Sequence, residues 1–422
     1  MSHQALRDPS LDALRGLAVL GMVFSGSLGF GGALPAWMYH AQLPPPAHKF
    51  MPTLPGLTWV DLVFPMFLFA LGAALPLALR HHTPAEAART AVRRFALLLF
   101  FALFTQQLKP AHVSPWLSLA AFALLGLLLV RRVPLTLKAG AWTAAVALWV
   151  WVGLEPKRHD IILVVLAVMA GAGTLLWAAT RDGRQAWRWW ALPVVVAVML
   201  APPDAWTRVL WSTPADWAWR FLFLKYLLIV VPGMAVGEWL ARGEPVHRDR
   251  GLASIAFALV VLNLVLLQAR ETALNAMLSA ALLTWGGVRA ARAGGFAARA
   301  WPLAVALVLL GLFMEPLQGG IRKDPSTFSY QVLTAGLSVL LLVALQPLRG
   351  LGVVSELGRN PMLAYVAGSL CVLPLLQLSG LLPAWQALTG SVPEALLKGA
   401  LLTSAVMCLT LAANRRGWIW RA

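Results

Sequence analysis

Gly56-Leu57-Thr58-Trp59-Val60-Asp61-Leu62-Val63-Phe64-Pro65 opens a run that stays apolar to Leu79, and it decides the class of fold. An apolar segment of about twenty residues is what an α-helix needs to cross a bilayer. One carboxylate, Asp61, interrupts it near its start. The upstream counterpart, Ser10-Leu11-Asp12-Ala13-Leu14-Arg15-Gly16, continues apolar to Phe30 and also carries its charges, Asp12 and Arg15, close to its start. Between the two runs lies a loop with His40. Ionisable groups at membrane depth are costly and commonly functional. Charges beside a histidine loop therefore point to chemistry at a membrane.

The same kind of run recurs along the chain. Apolar segments fall near residues 11–30, 58–79, 93–108, 115–130, 138–154, 160–179, 189–201, 219–240, 251–268, 272–288, 300–318, 329–347, 361–381 and 395–413. The shortest are weak candidates, 189–201 and 272–288 above all. The expected fold is thus an all-α polytopic transmembrane bundle of about 12–14 spans, a single domain over residues 1–422. Composition agrees: 59% of residues are hydrophobic and 12% charged, with a mean hydropathy of +0.73, far from a soluble globular chain. Residues 1–9 are polar and lack a signal-peptide pattern, so they are read as part of the mature protein.

A net charge of +17 raises nucleic acid as a partner, but its distribution argues for topology. Arg7 and Arg15 begin one set, followed by Arg80, Arg89, Arg93, Arg94; Arg131, Arg132, Lys138; and Arg181, Arg184, Arg188. It continues with Arg242, Arg248, Arg250; Arg289, Arg292, Arg299; Arg349, Arg359; and Arg415, Arg416, Arg421. Counted out, 23 of the 34 Lys and Arg fall on alternate connections, leaving 11 for the other side. That is the positive-inside pattern. It places both termini in the cytoplasm and gives the bilayer, not nucleic acid, as the partner.

The chain holds no CxxC, Walker loop or GxSxG. Cys371 and Cys408 sit in apolar runs without metal-ligand spacing and read as buried free thiols, and His81-His82 alone is too weak a signal for a metal. The long outer connection 31–57, rich in Gly and Pro, reads as a folded loop without regular structure. It contains both His40 and His48. Each has a plain reading as a solvated histidine and a functional one as general base or acyl-accepting nucleophile. Asp61 has two readings that coexist, N-cap of the next span with Thr58 and orienting partner of the histidine. Asp12 and Arg15, three apart, share a helix face; they either pair to lock packing, or Arg15 holds a phosphate entering from the cytoplasm. Arg93-Arg94 reads first as topology and second as a further phosphate contact. Lys225 either snorkels or faces a polar cavity. Glu238 reads as interfacial. Glu315 with Arg322-Lys323-Asp324 makes a second polar group on the His40 side. Most of the 20 tryptophans are interface-belt residues.

Residues 10–18, Met22-Val23-Phe24 and Trp59 to Gly72 resemble the heparan-α-glucosaminide N-acetyltransferase family of transmembrane acyltransferases, most of all its bacterial relatives linked to N-acetylglucosamine use. Ile321-Arg322-Lys323-Asp324-Pro325-Ser326-Thr327-Phe328-Ser329-Tyr330 and Gly358-Arg359-Asn360-Pro361-Met362-Leu363-Ala364-Tyr365-Val366 are similar to later family segments. The resemblance covers both ends of the chain and little of 110–220. It implies acetyl transfer from cytosolic acetyl-CoA, as co-substrate and without a metal, to an amino sugar or related saccharide across a bacterial inner membrane. It also implies a possible homodimer. It places the active histidine at His40 with Asp61 beside it, CoA phosphates on Arg15, Arg93 and Arg94, and acceptor contacts at Lys323, Ser329 and Asn360. The chain departs from the family where Ser25-Gly26-Ser27 replaces an asparagine, and where Ala367-Gly368-Ser369 replaces a histidine. The alternative reading is a transporter of an amino sugar or cell-wall fragment, with Asp12, Arg15, Asp61 and Lys225 lining an alternating path.

Overall fold

The computed structural model describes residues 8–30, 33–130, 132–200, 211–348 and 351–421. Arg7, Arg131 and Arg349, all used in the topology reading, lie outside the described residues. Among those described, no strand forms; one isolated bridge joins Val130 and Trp420. Every one of the fourteen apolar runs coincides with a helix. The first seven are α1 (Pro9–Ser27), α2 (Trp59–Leu79), α3 (Pro84–Gln107), α4 (Pro115–Leu129), α5 (Leu135–Val152), α6 (Ile161–Thr180) and α7 (Trp187–Leu200). A 3-10 turn, Phe221–Tyr226, leads into α8 (Leu227–Ala241), followed by α9 (Arg250–Gln268), α10 (Thr272–Ala293), α11 (Gly295–Leu317) and α12 (Phe328–Leu345). The short α13 (Gly352–Gly358) precedes a broken pass made of α14 (Pro361–Ala367), a π-turn (Gly368–Val372) and α15 (Leu373–Leu378). The described chain closes with α16 (Leu382–Ala387) and α17 (Val392–Arg415).

Nine of these, joining the 3-10 turn to α8 and the pieces of the broken pass, are long and apolar enough to cross a membrane. Pro115–Leu129 and Trp187–Leu200 are apolar but shorter. α1 and α3 carry charge in their first halves. The protein is a multi-pass membrane protein built as an all-α polytopic bundle.

Hydrogen bonds between helix ends show how the passes alternate. At one end the Ser355 hydroxyl donates to the Pro9 carbonyl at 3.0 Å, the Trp420 amide donates to Asn360 Oδ1 at 3.0 Å, and Arg181 reaches the His82 carbonyl at 2.5 Å. Both ends of the described chain therefore meet at this end, together with the arginine-bearing connections. At the other end the Gly56 amide donates to the Ile321 carbonyl at 2.9 Å, and Arg270 pairs with Glu315 at 2.6 Å.

An inner column is formed by α2, α8 and α12. In α12, 94% of the apolar window is buried, against 11% in α5, which fixes α12 as the core and α5 as rim. Gly233-Met234-Ala235-Val236-Gly237 on α8 supplies the small-residue spacing that lets helix backbones approach. A Cβ on Gly233 would collide with the Phe69 carbonyl, and one on Gly237 with that of Ala73. This contact fixes α2 and hence Asp61. Likewise, a Cβ on Gly358 would meet the Asp12 carbonyl, so α13 lies directly on α1. Two predicted charge roles become packing contacts here: Glu238 pairs at 2.8 Å with Arg188, itself buried, and Glu315 accepts from the Ile321 amide at 3.3 Å.

Candidate active site

Thr58 begins α2 and Asp61 is its third helical residue, so the two form a capping box. One carboxylate oxygen, Oδ2, accepts from the Thr58 amide at 3.0 Å and from the Ala41 amide at 3.1 Å. The Thr58 hydroxyl lies 3.0 Å from the same oxygen and 2.8 Å from the Tyr39 carbonyl. The other oxygen, Oδ1, stands 2.8 Å from His40 Nδ1. Asp61 is 1% exposed, while the His40 side chain is 35% exposed. Capping and orienting are thus done by different oxygens of one carboxylate. With Asp61 ionised, the proton sits on Nδ1 and Nε2 presents its lone pair.

His40 follows a short 3-10 turn, Ala36–Met38, and the loop is anchored by Tyr39, whose hydroxyl donates to the Gly29 carbonyl at 2.7 Å. Burial raises the pKa of that phenol. His48 has no carboxylate. Its ring packs edge-on against Phe30 and Tyr39, with centroids 4.9 and 4.6 Å away. Of the two loop histidines, only His40 pairs with Asp61.

The α11–α12 connection brings Lys323 to the same place. Its Nζ is 3.3 Å from His40 Nδ1 and 3.4 Å from Nε2. The ammonium is therefore nearly equidistant from the two ring nitrogens. Burial pushes the Lys323 pKa down, with Asp61 and Asp324 partly offsetting it. Gln42 holds the connection in register: its Oε1 accepts from the Asp324 amide at 2.9 Å, and its Nε2 donates to the Asp324 carbonyl. Tyr330 on α12 donates its hydroxyl to the Asp61 carbonyl at 2.7 Å. Lys225, in the 3-10 turn before α8, has its Nζ 5.5 Å from the Tyr226 ring. Ser329 is fully buried, its hydroxyl 3.0 Å from that of Thr327 and its amide on Gln318; it braces the start of α12.

Two adjoining cavities run from the opposite end of the bundle toward the His40–Asp61 pair. The outer one, about 260 Å³, is lined by Asp8, Asp12, Arg15, Arg94 and Arg359 among others. The inner one, about 230 Å³, shares Arg15, Arg94, Ala74 and Pro361 with it and is otherwise almost wholly apolar, ending at Met22, Phe64, Phe101 and Tyr365. Three guanidinium groups and two carboxylates line the outer cavity, and Arg359 is itself paired with Glu356. Asp8 caps α1 through the Leu11 amide at 2.9 Å, and Asp12 binds Arg15 at 3.0 Å. Arg15 also reaches the Ala70 carbonyl at 3.3 Å. From Leu75 to Phe64 the inner cavity follows α2 for about 16 Å, at 1.5 Å per residue, and stops one helical turn below Asp61. At this inner limit Tyr365 donates to Asp160 at 2.6 Å, and Asp160 also caps α6.

Arg93 and Asn360 are not brought to the places expected of them. Arg93 is exposed and lines neither cavity, because consecutive residues on a helix point about 100° apart and Arg94 takes the inward direction. Asn360 lies at the arginine end, far from Lys323, and all of its hydrogen-bonding capacity is used inside the protein. Its Nδ2 donates to Asn414 at 3.0 Å and to the Trp418 carbonyl at 2.9 Å, while Oδ1 accepts from Trp420. It clasps the end of the described chain to α14 and does not line an acceptor pocket. Sequence reasoning missed Gln42, Arg359, Asp160 and Tyr365 as parts of these sites. Asp160 alone carried a readable signal, an Asp directly before the apolar run of α6.

Residues 7–240, more than half of the chain, match a family described as a domain of unknown function (DUF5009). The matched part contains His40, Asp61, Arg15, Arg93 and Arg94, whereas Lys323, Ser329 and Asn360 fall beyond it. No curated protein matches the chain.

Proposed function

This chain belongs to the DUF5009 family, and from its geometry we propose that it is a membrane acetyltransferase. It moves an acetyl group from acetyl-CoA on one side of the bilayer to an amino sugar or related saccharide on the other. The observation that carries this reading is the arginine-lined cavity, which adjoins an apolar one ending one turn below the His40–Asp61 pair. Guanidinium groups suit phosphates, and the neutral pantetheine arm suits apolar walls. The arginine end is then cytoplasmic, as the distribution of basic residues expects, and the membrane is a bacterial inner membrane.

His40 Nε2 can serve in either of two balanced ways. As base, it takes a proton from the acceptor amine while nitrogen attacks the thioester carbonyl, and returns it to the departing thiolate. As carrier, Nε2 forms an N–acetyl bond as the C–S bond breaks and CoA leaves as thiolate; the acceptor amine then attacks the acetyl carbon, the C–Nε2 bond breaks, and the amine proton passes to the thiolate. In both, Asp61 keeps the proton on Nδ1. Lys323, beside the ring, supplies positive charge where the carbonyl oxygen becomes negative.

The test is calorimetric titration of acetyl-CoA into the purified protein, followed by transfer to glucosamine. Saturable binding, and transfer lost in His40→Ala with binding retained, is the expected result. Full transfer in His40→Ala, or no acetyl-CoA binding by folded protein, overturns the proposal. Labelled acetyl-CoA without acceptor separates the two roles, since only the carrier retains label on the chain. The second reading, a transporter of an amino sugar or cell-wall fragment, is favoured by a further cavity at the His40 end of the bundle. Its sign is glucosamine uptake into proteoliposomes independent of acetyl-CoA.

A further inference from the structure

At the His40 end, away from the arginine mouth, a cavity of about 360 Å³ lies between the α3–α4 turn and the α15–α16 segment. That volume is within the range of small-ligand pockets. Its polar lining is Lys109, Ser369, Gln377, Trp385 and Gln386, with Leu373 and Leu382 completing the walls. Ser369 belongs to the π-turn that interrupts the pass, a distortion frequent at functional sites. Ser369 donates to the Val366 carbonyl at 3.3 Å, but other polar groups of this cavity have no partner among the described residues.

Among the described residues no hydrogen bond or ion pair engages the Lys109 ammonium. The nearest carboxylate to act on it is Asp160. That group spends its oxygens on the Ile162 and Leu163 amides and on Tyr365. The carboxamides of Gln377 and Gln386 are exposed and make no hydrogen bond among the described residues. Trp385 is different: its indole N–H points to the Lys398 carbonyl at 3.4 Å. Lys398 in turn places its Nζ 4.7 Å from the indole centroid and donates to the Gln386 carbonyl at 3.2 Å. Trp385 is therefore held in place with its polar atom used, and what it offers the cavity is ring surface.

A fixed aromatic surface, two carboxamides each able to donate and accept, and one uncompensated ammonium match the faces of a sugar ring bearing a carboxylate. The apolar C–H face of the ring covers the indole, the hydroxyls meet the amides, and the carboxylate meets Lys109. We infer that this cavity is a binding site for an anionic saccharide, separate from the His40–Asp61 pair. The two places adjoin through Gly29. Its carbonyl anchors Tyr39, and a Cβ there would lie 3.6 Å from Lys398 Nζ. The site stands whether or not His40 transfers acetyl groups.

The test uses the full chain in phosphatidylcholine nanodiscs, without acetyl-CoA, titrated calorimetrically with D-glucuronate, D-glucose and acetate. Glucuronate is expected to bind, glucose at least tenfold more weakly, and acetate not measurably. Lys109→Gln should weaken glucuronate by roughly ten- to a hundredfold, the loss of one hydrogen bond to a charged group, while Lys109→Arg keeps most of the affinity. Thermal melts confirm that each variant is folded. The inference is overturned if folded wild type gives no glucuronate binding, or if Lys109→Gln binds as wild type does. It is also overturned if acetate equals glucuronate. Abolition of binding when phosphatidylglycerol replaces phosphatidylcholine would identify a lipid headgroup as the occupant and refute it too.

Discussion

Replacing Asp61 by asparagine changes one atom's hydrogen-bonding sense, and the surroundings dictate where that change falls. Two backbone N–H groups, from Thr58 and Ala41, converge on Oδ2. The asparagine carbonyl oxygen must take that position. The opposite orientation would leave two buried donors facing an NH2 group, at about 1–3 kcal/mol each. The amide nitrogen then occupies the Oδ1 position, 2.8 Å from His40 Nδ1, and donates to it. Nδ1 becomes an acceptor, the ring proton moves to Nε2, and the lone pair that the reaction needs is gone. A histidine held in the wrong tautomer by this same exchange in a serine protease loses about 10⁴ in rate. Asp61→Asn is therefore expected to lower acetyl transfer to glucosamine by about 10³–10⁴-fold. Acetyl-CoA affinity stays at the wild-type value, and stability changes by about 1 kcal/mol or less, since one hydrogen bond replaces another. Thiol release from acetyl-CoA measures the rate, and a thermal melt with calorimetry supplies the other two quantities. Transfer within tenfold of wild type would refute the reasoning, because the tautomer argument permits no such residual activity.

Arg15→Met and Arg94→Met should each weaken acetyl-CoA about ten- to a hundredfold by removing a charge-assisted contact, whereas Arg93→Met leaves calorimetric affinity unchanged; an equal loss in all three would mean that bulk charge attracts the ligand. Gly237→Leu forces a side chain into the Ala73 carbonyl and should destabilise by about 3 kcal/mol or more, read as a lowered thermal midpoint; wild-type stability would show that α2 and α8 are not in contact there. Asp249 caps α9, and its hydrogen bond to Arg289 holds the carboxyl below its ordinary value of 3.8. A depressed carboxylate adds stability that is complete above the ordinary value and lost as pH falls through the folded one. The deficit of Asp249→Ala, about 1 kcal/mol at pH 7, should therefore shrink in melts below about pH 3.8; a constant deficit would contradict the ion pair.

The helices were legible because each apolar run is a complete local signal, and all fourteen runs became helices whose bounds differ mainly where amphipathic turns extend them, as at Pro84 in α3. Of the site, His40 and Asp61 were legible as candidates from residue type and from the resemblance. Their pairing was expected as well, but not which oxygen serves it, since that depends on how the 33–57 loop folds. Gln42 and Asp324 are 282 positions apart, and Tyr365 and Asp160 are 205 apart; neither pair follows any helical period. Gly233 and Gly237 display a readable spacing, yet only the structure names α2 as the partner. Asn360 shows the reverse failure. Its likeness to a family segment placed it with Lys323, but the pass that follows it starts at the arginine end, and the Trp418–Trp420 backbone saturates its amide.

Assembly order gives the Asp12–Arg15 pair a further meaning. Helix α1 leaves the ribosome long before α13, α14 and α17, which pack against it. During most of synthesis α1 stands in the insertion machinery or the bilayer with little beside it except α2. A lone charge there would wait for a counter-charge supplied hundreds of residues later. Because Arg15 finds Asp12 one turn earlier on its own helix, α1 carries its neutralising partner with it from the moment of insertion. The guanidinium is delivered into place, already shielded, before the cavity it will line has walls.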